Sequence, residues 1–248
     1  MTSEREPHPR HMRGRVALVT GGVRGIGAAV CHALAEDGVD VAAGSYQQPE
    51  QAQKFLDSMT ADFPGRRISV HEGNIGVAED CRRVVRDVIE RHGALDILVN
   101  NAGITIDRNV AKMTDEDWQK VIAVNLSGAF FMAQAALEHM QANYAASKSG
   151  LFGLTKSLAR EAAFQLERSG RPPSDGIGLT VNAVTPGFIG TEMLLTIPDK
   201  VLQRVMSQIP VRRLGRPEEV ARVVCFLAAD ESAYITGQIW AVNGGLDM

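Results

Sequence analysis

Short apolar runs rich in β-branched residues alternate along the chain with longer stretches of helical period. The apolar runs are Arg15–Thr20, Val39–Gly44, Ile68–Glu72, Asp96–Asn100, Leu179–Val184 and Gln238–Val242. Most are near-continuously apolar, the mark of parallel strands covered on both faces. Between them the spacing predicts helices over Gly25–Asp37, Glu50–Asp62, Val77–His92, Asp115–Met140, Asn143–Arg168 and Pro217–Ala229. Pro49 and Pro217 suit first helical turns, Thr114 with Asp117 resembles a capping box, and Gly38 and Gly93 suit helix stops. Strand–helix alternation of this kind predicts an α/β fold, a doubly wound parallel sheet of the Rossmann type with helices on both faces. One domain is expected over residues 14–248. The polar start, residues 1–13 with Pro7 and Pro9, reads as a disordered tail. Ser169–Gly178, polar and rich in Pro and Gly, reads as a surface loop.

Composition narrows the picture by exclusion. The 248 residues carry a net charge of −3, so no basic surface for nucleic acid is implied. Cys31, Cys81 and Cys225 lie far apart, form no CxxC and read as reduced thiols of a cytoplasmic protein. The six histidines show no metal-ligand spacing, and no metal is expected. No apolar run approaches the ~18 residues of a membrane helix, and no membrane partner is expected.

The first predicted strand runs directly into Thr20-Gly21-Gly22-Val23-Arg24-Gly25-Ile26-Gly27, which opens the first helix. Gly21, Gly25 and Gly27 permit a tight turn, close approach of backbone to a pyrophosphate, and close helix–strand packing, with Ile26 inside the loop. The helix N-terminus supplies donors and a positive dipole end for phosphate. The strand–turn–helix context makes this a dinucleotide site. An acid at the end of the second strand would hold the ribose of NAD; here the chain reads Gly44-Ser45-Tyr46-Gln47-Gln48. With no acid there, and with Arg24 in the loop to meet a 2′-phosphate, NADPH is the expected cofactor. Ser45 is a further candidate contact. Asn74 with Ile75 past the third strand, and Asn101-Ala102-Gly103 past the fourth, are the candidate adenosine-side contacts.

Tyr144 and Lys148 stand four apart in Asn143-Tyr144-Ala145-Ala146-Ser147-Lys148. On a helix that spacing stacks them one turn apart on one face. An ammonium fixed beside a phenol favours the phenolate and lowers its pKa from ~10 toward working pH. Such a tyrosine can pass a proton to a carbonyl oxygen while a hydride arrives from elsewhere. Neither of the other tyrosines, Tyr46 and Tyr234, has a lysine at the fourth position.

From about Arg15 to Asp247 the chain resembles the short-chain dehydrogenase/reductase family. The resemblance rests on TGxxxGxG at Thr20–Gly27, NNAG at Asn100–Gly103, Asn125 within Val124-Asn125-Leu126-Ser127-Gly128, YxxxK at Tyr144–Lys148, and Pro186-Gly187-Phe188-Ile189-Gly190-Thr191, in the family's order. It implies that Tyr144 is the catalytic acid and that Lys148 lowers its pKa and holds the nicotinamide ribose. It also implies that Asn125 positions a water in a proton relay, and that Pro186, Gly187, Ile189 and Thr191 line the nicotinamide side. Within the family the chain is most similar to bacterial 3-oxoacyl-thioester reductases. Lys112-Met113-Thr114 and Asp117-Trp118 are typical of that branch, and the ending Val242-Asn243-Gly244-Gly245 is similar to acetoacetyl-CoA reductases. The implied substrate is an acyl thioester of CoA or of an acyl-carrier protein. The implied assembly is a homotetramer joined through the two long helices. Thr185–Lys200 and Val201–Gln208 are read as a substrate lid. The alternative of another class is a non-catalytic dinucleotide-binding scaffold or sensor.

One departure is severe. Family members have a strand and a serine-bearing loop between the two long helices, whereas Met140-Gln141-Ala142-Asn143-Tyr144 joins helix to helix. Asn125 to Met140 is about 22 Å of helix, and four residues span at most ~14 Å on the way back. A central strand is therefore expected to be absent between Met140 and Gln141, with roughly 15–25 residues missing, the size of a strand plus a loop. Taken literally, the join predicts a poorly folded or inactive protein. Ser147 and Ser149 are not substitutes, since they would lie on the tyrosine helix itself.

Overall fold

A computed structural model describes residues 12–109, 112–137, 144–146, 151–168, 179–192 and 199–246. Seven strands form one parallel sheet in the order β3-β2-β1-β4-β5-β6-β7. They are β1 (Val16–Val19), β2 (Asp40–Ser45), β3 (Ile68–Glu72), β4 (Ile97–Asn100), β5 (Tyr144–Ala146), β6 (Val181–Pro186) and β7 (Ile239–Val242).

The near-continuous apolar runs become strands because helices cover both faces. In β1, Ala17 and Val19 face a layer of α1 (Gly25–Glu36), α2 (Pro49–Asp62) and α8 (Pro217–Ala228). Val16 and Leu18 face the opposite layer of α3 (Ala78–His92), α5 (Gly128–Leu137) and α6 (Leu151–Arg168). The two-residue side-chain period of a strand thus feeds two separate cores. The punctuation works as expected: Pro49 occupies the first turn of α2, Gly93 caps α3 at φ 83°, and Thr114 accepts from Asp117 N at the start of α4 (Asp115–Ile122).

One expectation is borne out with an added detail and one is corrected. A turn of π-helix at Ala123–Ser127 joins α4 to α5 into one helical run, Asp115–Leu137, long and apolar enough by length and composition alone to cross a membrane. Its α5 part packs on α3 and β4, whereas α4 buries none of its residues.

The correction concerns the central strand, expected to be absent. Its slot is filled: Tyr144–Ala146 pairs with β4 on one side (Leu98↔Tyr144) and β6 on the other (Tyr144↔Val181). The helix expected from Asn143 is described over Leu151–Arg168, after the strand. The cause is the sheet. An empty slot would leave facing rows of backbone N–H and C=O groups of β4 and β6 unpaired, and buried backbone groups demand partners. The Met140–Gln141 join, Lys148, the terminal tail and the Ser169–Gly178 loop lie outside the described residues.

Candidate active site

In the strand order, the chain leaves β1 outward to β2 and β3 and returns on the other side at β4. The crevice at such a switch point, beyond the carboxyl ends of the strands, is where open α/β sheets bind ligands. The glycine loop after β1 and the Asn100–Gly103 turn after β4 meet there.

The loop geometry is set by glycine at particular places. A Cβ on Gly27 would lie 2.2 Å from the Gly21 carbonyl oxygen and 2.6 Å from Asn101 Nδ2. Gly21 and Gly25 hold φ of 61° and 55°, in the left-handed region. Space above Gly25 is open except for Thr191, whose Cγ2 would be 3.6 Å from an added Cβ. Arg24, the N-cap of α1, makes no side-chain cap, so the first-turn N–H groups keep their free donors. A cradle that no side chain can fill, beneath a helix N-terminus with open donors, fits the pyrophosphate of a dinucleotide.

Thr20 and Asn101 hold this cradle, and the sequence reading missed how. Thr20 Oγ1 donates to Val99 O at 3.3 Å and accepts from the backbone N–H of Asn101 and Ala102, each at 3.1 Å. Asn101 Nδ2 donates to the carbonyls of Thr20 (2.9 Å) and Gly21 (3.2 Å). Asn101, expected to touch cofactor, spends its side chain on shaping the loop. The visible signal was the repeat of asparagine after an apolar strand, facing a threonine at the end of its neighbour.

The other expected contacts fall around the same crevice. Ser45 is buried at the end of β2, beside Gly22, whose N–H donates to Gly44 O at 3.0 Å. Arg24 and Tyr46 are exposed. Asn74 Oδ1 accepts from Gly76 N at 2.9 Å, a turn-forming bond. The Ile75 carbonyl would lie 2.7 Å from a Cβ on Gly128, so α5 approaches that turn as closely as a glycine allows. After β6, Gly187 N donates to Val242 O, Gly190 N donates to Gly215 O, and Ile189 is buried; Thr191 then reaches the glycine loop. The structure therefore brings the glycine loop, Asn101, Ala102 and the post-β6 segment together.

Of the expected proton-transfer pair the structure describes only the backbone of Tyr144, in β5. The expected stacking on Lys148 needs both residues on one helix, and Lys148 lies outside the described residues. Stacking the two side chains requires a helix that starts before Tyr144. Asn125 sits in the π turn with both ends of its amide occupied: Ile104 N donates to Oδ1 at 2.8 Å and Nδ2 donates to Ile104 O at 2.8 Å. Its side chain anchors the long helical run to the post-β4 segment.

No cluster of His, Cys, Asp or Glu among the described residues has metal-holding geometry. The three cysteines are buried free thiols, and burial pushes Cys81 and Cys225 up to about 12.

Comparison with known proteins extends the match over the chain. Residues 15–143 match the short chain dehydrogenase family, and residues 141–247 match the family described as Enoyl-(Acyl carrier protein) reductase. An acetoacetyl-CoA reductase of Rhizobium meliloti is 42% identical, over 93% of this chain and 98% of the relative. A 3-oxoacyl-[acyl-carrier-protein] reductase of Thermotoga maritima is 38% identical, over 95% and 98%. A short chain dehydrogenase from Burkholderia cenocepacia, solved in complex with NADP, superposes with a TM-score of 0.85 at 30% identity, covering 96% of this chain and 100% of that one. The R. meliloti alignment runs over 254 positions yet takes in 93% of 248 residues here, so about 23 of the relative's positions face no residue of this chain. The two family matches hand over at residues 141–143, beside the join between the long helices. From its glycine loop to its post-β7 turn the chain belongs to the short-chain dehydrogenase family.

Proposed function

We propose that this protein reduces a 3-oxoacyl thioester, acetoacetyl-CoA in the first place, to the 3-hydroxyacyl thioester with NADPH. The observation that carries the reading is the 42% identity to an acetoacetyl-CoA reductase over nearly the whole of both chains, together with a glycine cradle that fits a dinucleotide. When bound, the nicotinamide supplies a hydride. The chain's own part is to hold the pyrophosphate on the first turn of α1 and to carry Thr191 over the glycine loop. Tyr144 delivers a proton to the carbonyl oxygen. Arg24, with no acid in Ser45–Gln48, favours the 2′-phosphate of NADPH over NADH.

Tyr144 performs that role with Lys148 one helical turn away. The reading therefore requires another strand in the β5 slot, releasing Tyr144 to the start of α6. The 23 or so unmatched positions of the relative are about the size of that strand and its serine-bearing loop. The protein is read as a single domain with a polar tail and as cytoplasmic, in keeping with three free thiols. It is read as a homotetramer through the long helices, where Trp118 and Phe130 are exposed on this protomer. Light scattering checks the assembly.

A second reading is favoured by one observation, Tyr144 in β5: a protein that binds the dinucleotide without turnover. NADPH oxidation with acetoacetyl-CoA separates the two. Thioester-dependent oxidation that vanishes in Tyr144→Phe supports the reductase, whereas tight NADPH binding with no oxidation supports the scaffold. Intact mass of the assayed protein, set against 26.8 kDa, tells whether a strand and loop are present.

A further inference from the structure

From Asp199 to Arg216 the chain carries five basic residues and one acid, on a protein of net charge −3. The stretch covers α7 (Asp199–Gln208) and the connection to α8. It lies on the cofactor face. Val211 N donates to Gly244 O past the end of β7, and Gly215 N donates to Phe188 O past the end of β6. Gly190 N donates back to Gly215 O at 2.8 Å, and the same post-β6 segment puts Thr191 over the glycine loop. Residues 209–215 therefore border the crevice beyond the carboxyl ends of β6 and β7.

Not all of these cations are available. Arg213 is forked onto Glu219, at 2.7 and 2.6 Å, and Glu219 also accepts from Arg216 N. Lys200 and Arg204, exposed and one helical turn apart, have no acid partner among the described residues, and neither has Arg212.

Arg212 is the unusual one. It holds φ 57°, one of two non-glycine residues in the left-handed region among the described residues, in an exposed turn that glycine would occupy more easily. Side chains kept in that region concentrate at functional sites. Its Nη1 donates to the carbonyl of Ser207, whose hydroxyl donates to Arg204 O at 2.6 Å. One donor of the guanidinium is thus used to fix it against the C-terminal turn of α7, and the others are left for an anion.

We propose that Arg212 is a phosphate-binding residue on the substrate rim, meeting the pantetheine phosphate that coenzyme A and an acyl-carrier protein share. This rests on the thioester reading above. A pantetheine arm separates its phosphate from the thioester by its whole length. A cation that reads the phosphate therefore belongs on the rim and not beside the reacting carbonyl, which is where Arg212 stands. The planar fork of arginine suits a phosphate.

The test measures kcat/KM with NADPH for acetoacetyl-CoA, for an acetoacetyl-carrier protein, and for the phosphate-free acetoacetyl-N-acetylcysteamine. Wild type is compared with Arg212→Gly and Arg212→Lys. In Arg212→Gly the ratio of either phosphate-bearing substrate to the phosphate-free one falls about tenfold, the size of one charge-assisted hydrogen bond. Its Tm is no lower than wild type, since glycine accepts the turn, and Arg212→Lys recovers most of the ratio. An unchanged ratio overturns the proposal, as does a loss confined to one of the two carriers, or a change in assembly size without a change in ratio. Should none of the thioesters turn over, binding of free coenzyme A to the NADP-loaded protein decides. A several-fold weaker Kd in Arg212→Gly keeps the phosphate site while the reductase reading falls, and an equal Kd sinks both.

Discussion

The glycine loop and the Tyr144 segment are both short, both follow the family pattern letter for letter, and they end in different conditions. The loop's conformation is dictated on the spot. Its glycines are required by contacts within a few residues and by one neighbouring turn, where Gly27 touches Gly21 and Asn101. The Tyr144 segment has no such local requirement. Whether Tyr144 is the first turn of a helix or the middle of a sheet depends on what else is available to pair with β4 and β6, and in this chain it is the segment that pairs. A motif defined by steric necessity survives a change in its surroundings. A motif defined by helical spacing survives only while the helix does.

The largest expected effect breaks the comparison on the Tyr144 side. Inserting the strand and serine-bearing loop of an acetoacetyl-CoA reductase between Met140 and Gln141 refills the slot and returns Tyr144 to a helix. NADPH oxidation with acetoacetyl-CoA then rises by about 10²–10⁴-fold, the range of a positioned proton donor, and Tyr144→Phe removes the gain. Equal rates with and without the insertion would show that β5 does not hold the tyrosine out of the site.

Next comes the loop itself. Gly27→Ala puts a Cβ where the Gly21 carbonyl lies. NADPH affinity, followed by fluorescence titration, should fall by a hundredfold or more, whether or not the strand and loop have been inserted. Unchanged affinity would mean that the loop is not the cradle.

A smaller effect concerns cofactor choice. Arg24→Ala should raise the Kd for NADPH about tenfold, one charge-assisted contact, and leave NADH nearly unaffected. An equal loss for both cofactors would place Arg24 on the pyrophosphate and not the 2′-phosphate.

Asn125 joins the two regions. Asn125→Ala removes two partly buried hydrogen bonds to Ile104, each worth about 1 kcal/mol. Chemical denaturation should show a loss of about 2 kcal/mol. If stability holds while turnover collapses, the side chain is part of the proton path and not the anchor it is here.

How much of this was legible in the sequence follows the same division. Six strands, the glycine loop and the helix stops were readable because periodicity, glycine and proline act locally. Tyr144–Ala146 was unreadable as a strand because it is only three residues long and two alanines, which strands disfavour, follow its tyrosine; an unfilled slot far away in sequence made it one. Asn125 and Asn101 were recognised as positions, but their protein partners were not readable, since an asparagine's partner, Ile104 in one case and Thr20 and Gly21 in the other, is fixed only when the fold brings it near. The π turn was invisible for a related reason: it changes where Asn125 points without changing the apolar pattern around it.

The buried pair His71 and His92, also unseen in the sequence, offers the finest test, because it lies wholly on the loop's side of the molecule. Ser69 Oγ bridges them, at 2.9 Å to His71 Nε2 and 2.6 Å to His92 Nε2, between β3 and α3. Burial pushes both imidazoles below their usual value, His71 to about 4. For His71 the nearby charges are His92 itself, Arg91, Arg83 and the opposing Asp87; for His92 they are Arg67, Arg91 and the opposing Asp40. The unfolded chain takes up these protons near pH 6.5 and the folded one only at lower pH, so the unfolded state binds more protons in between. Their stabilisation is therefore complete above pH 6.5 and drains away as the pH falls below it, for His71 down to about 4, by at most about 1.4 kcal/mol per unit for each ring. Ser69→Ala leaves the rings without their bridge, and His71→Phe removes one titration altogether. Denaturation midpoints measured from pH 7 to 4 should fall less steeply in His71→Phe than in wild type. Hydrogen exchange should show the acid-induced opening first in β3 and α3, with β6 and β7 protected. A slope unchanged by His71→Phe would mean that His71 does not titrate between the two states, and opening that begins in β6 or β7 would mean that the two halves of the sheet do not respond separately.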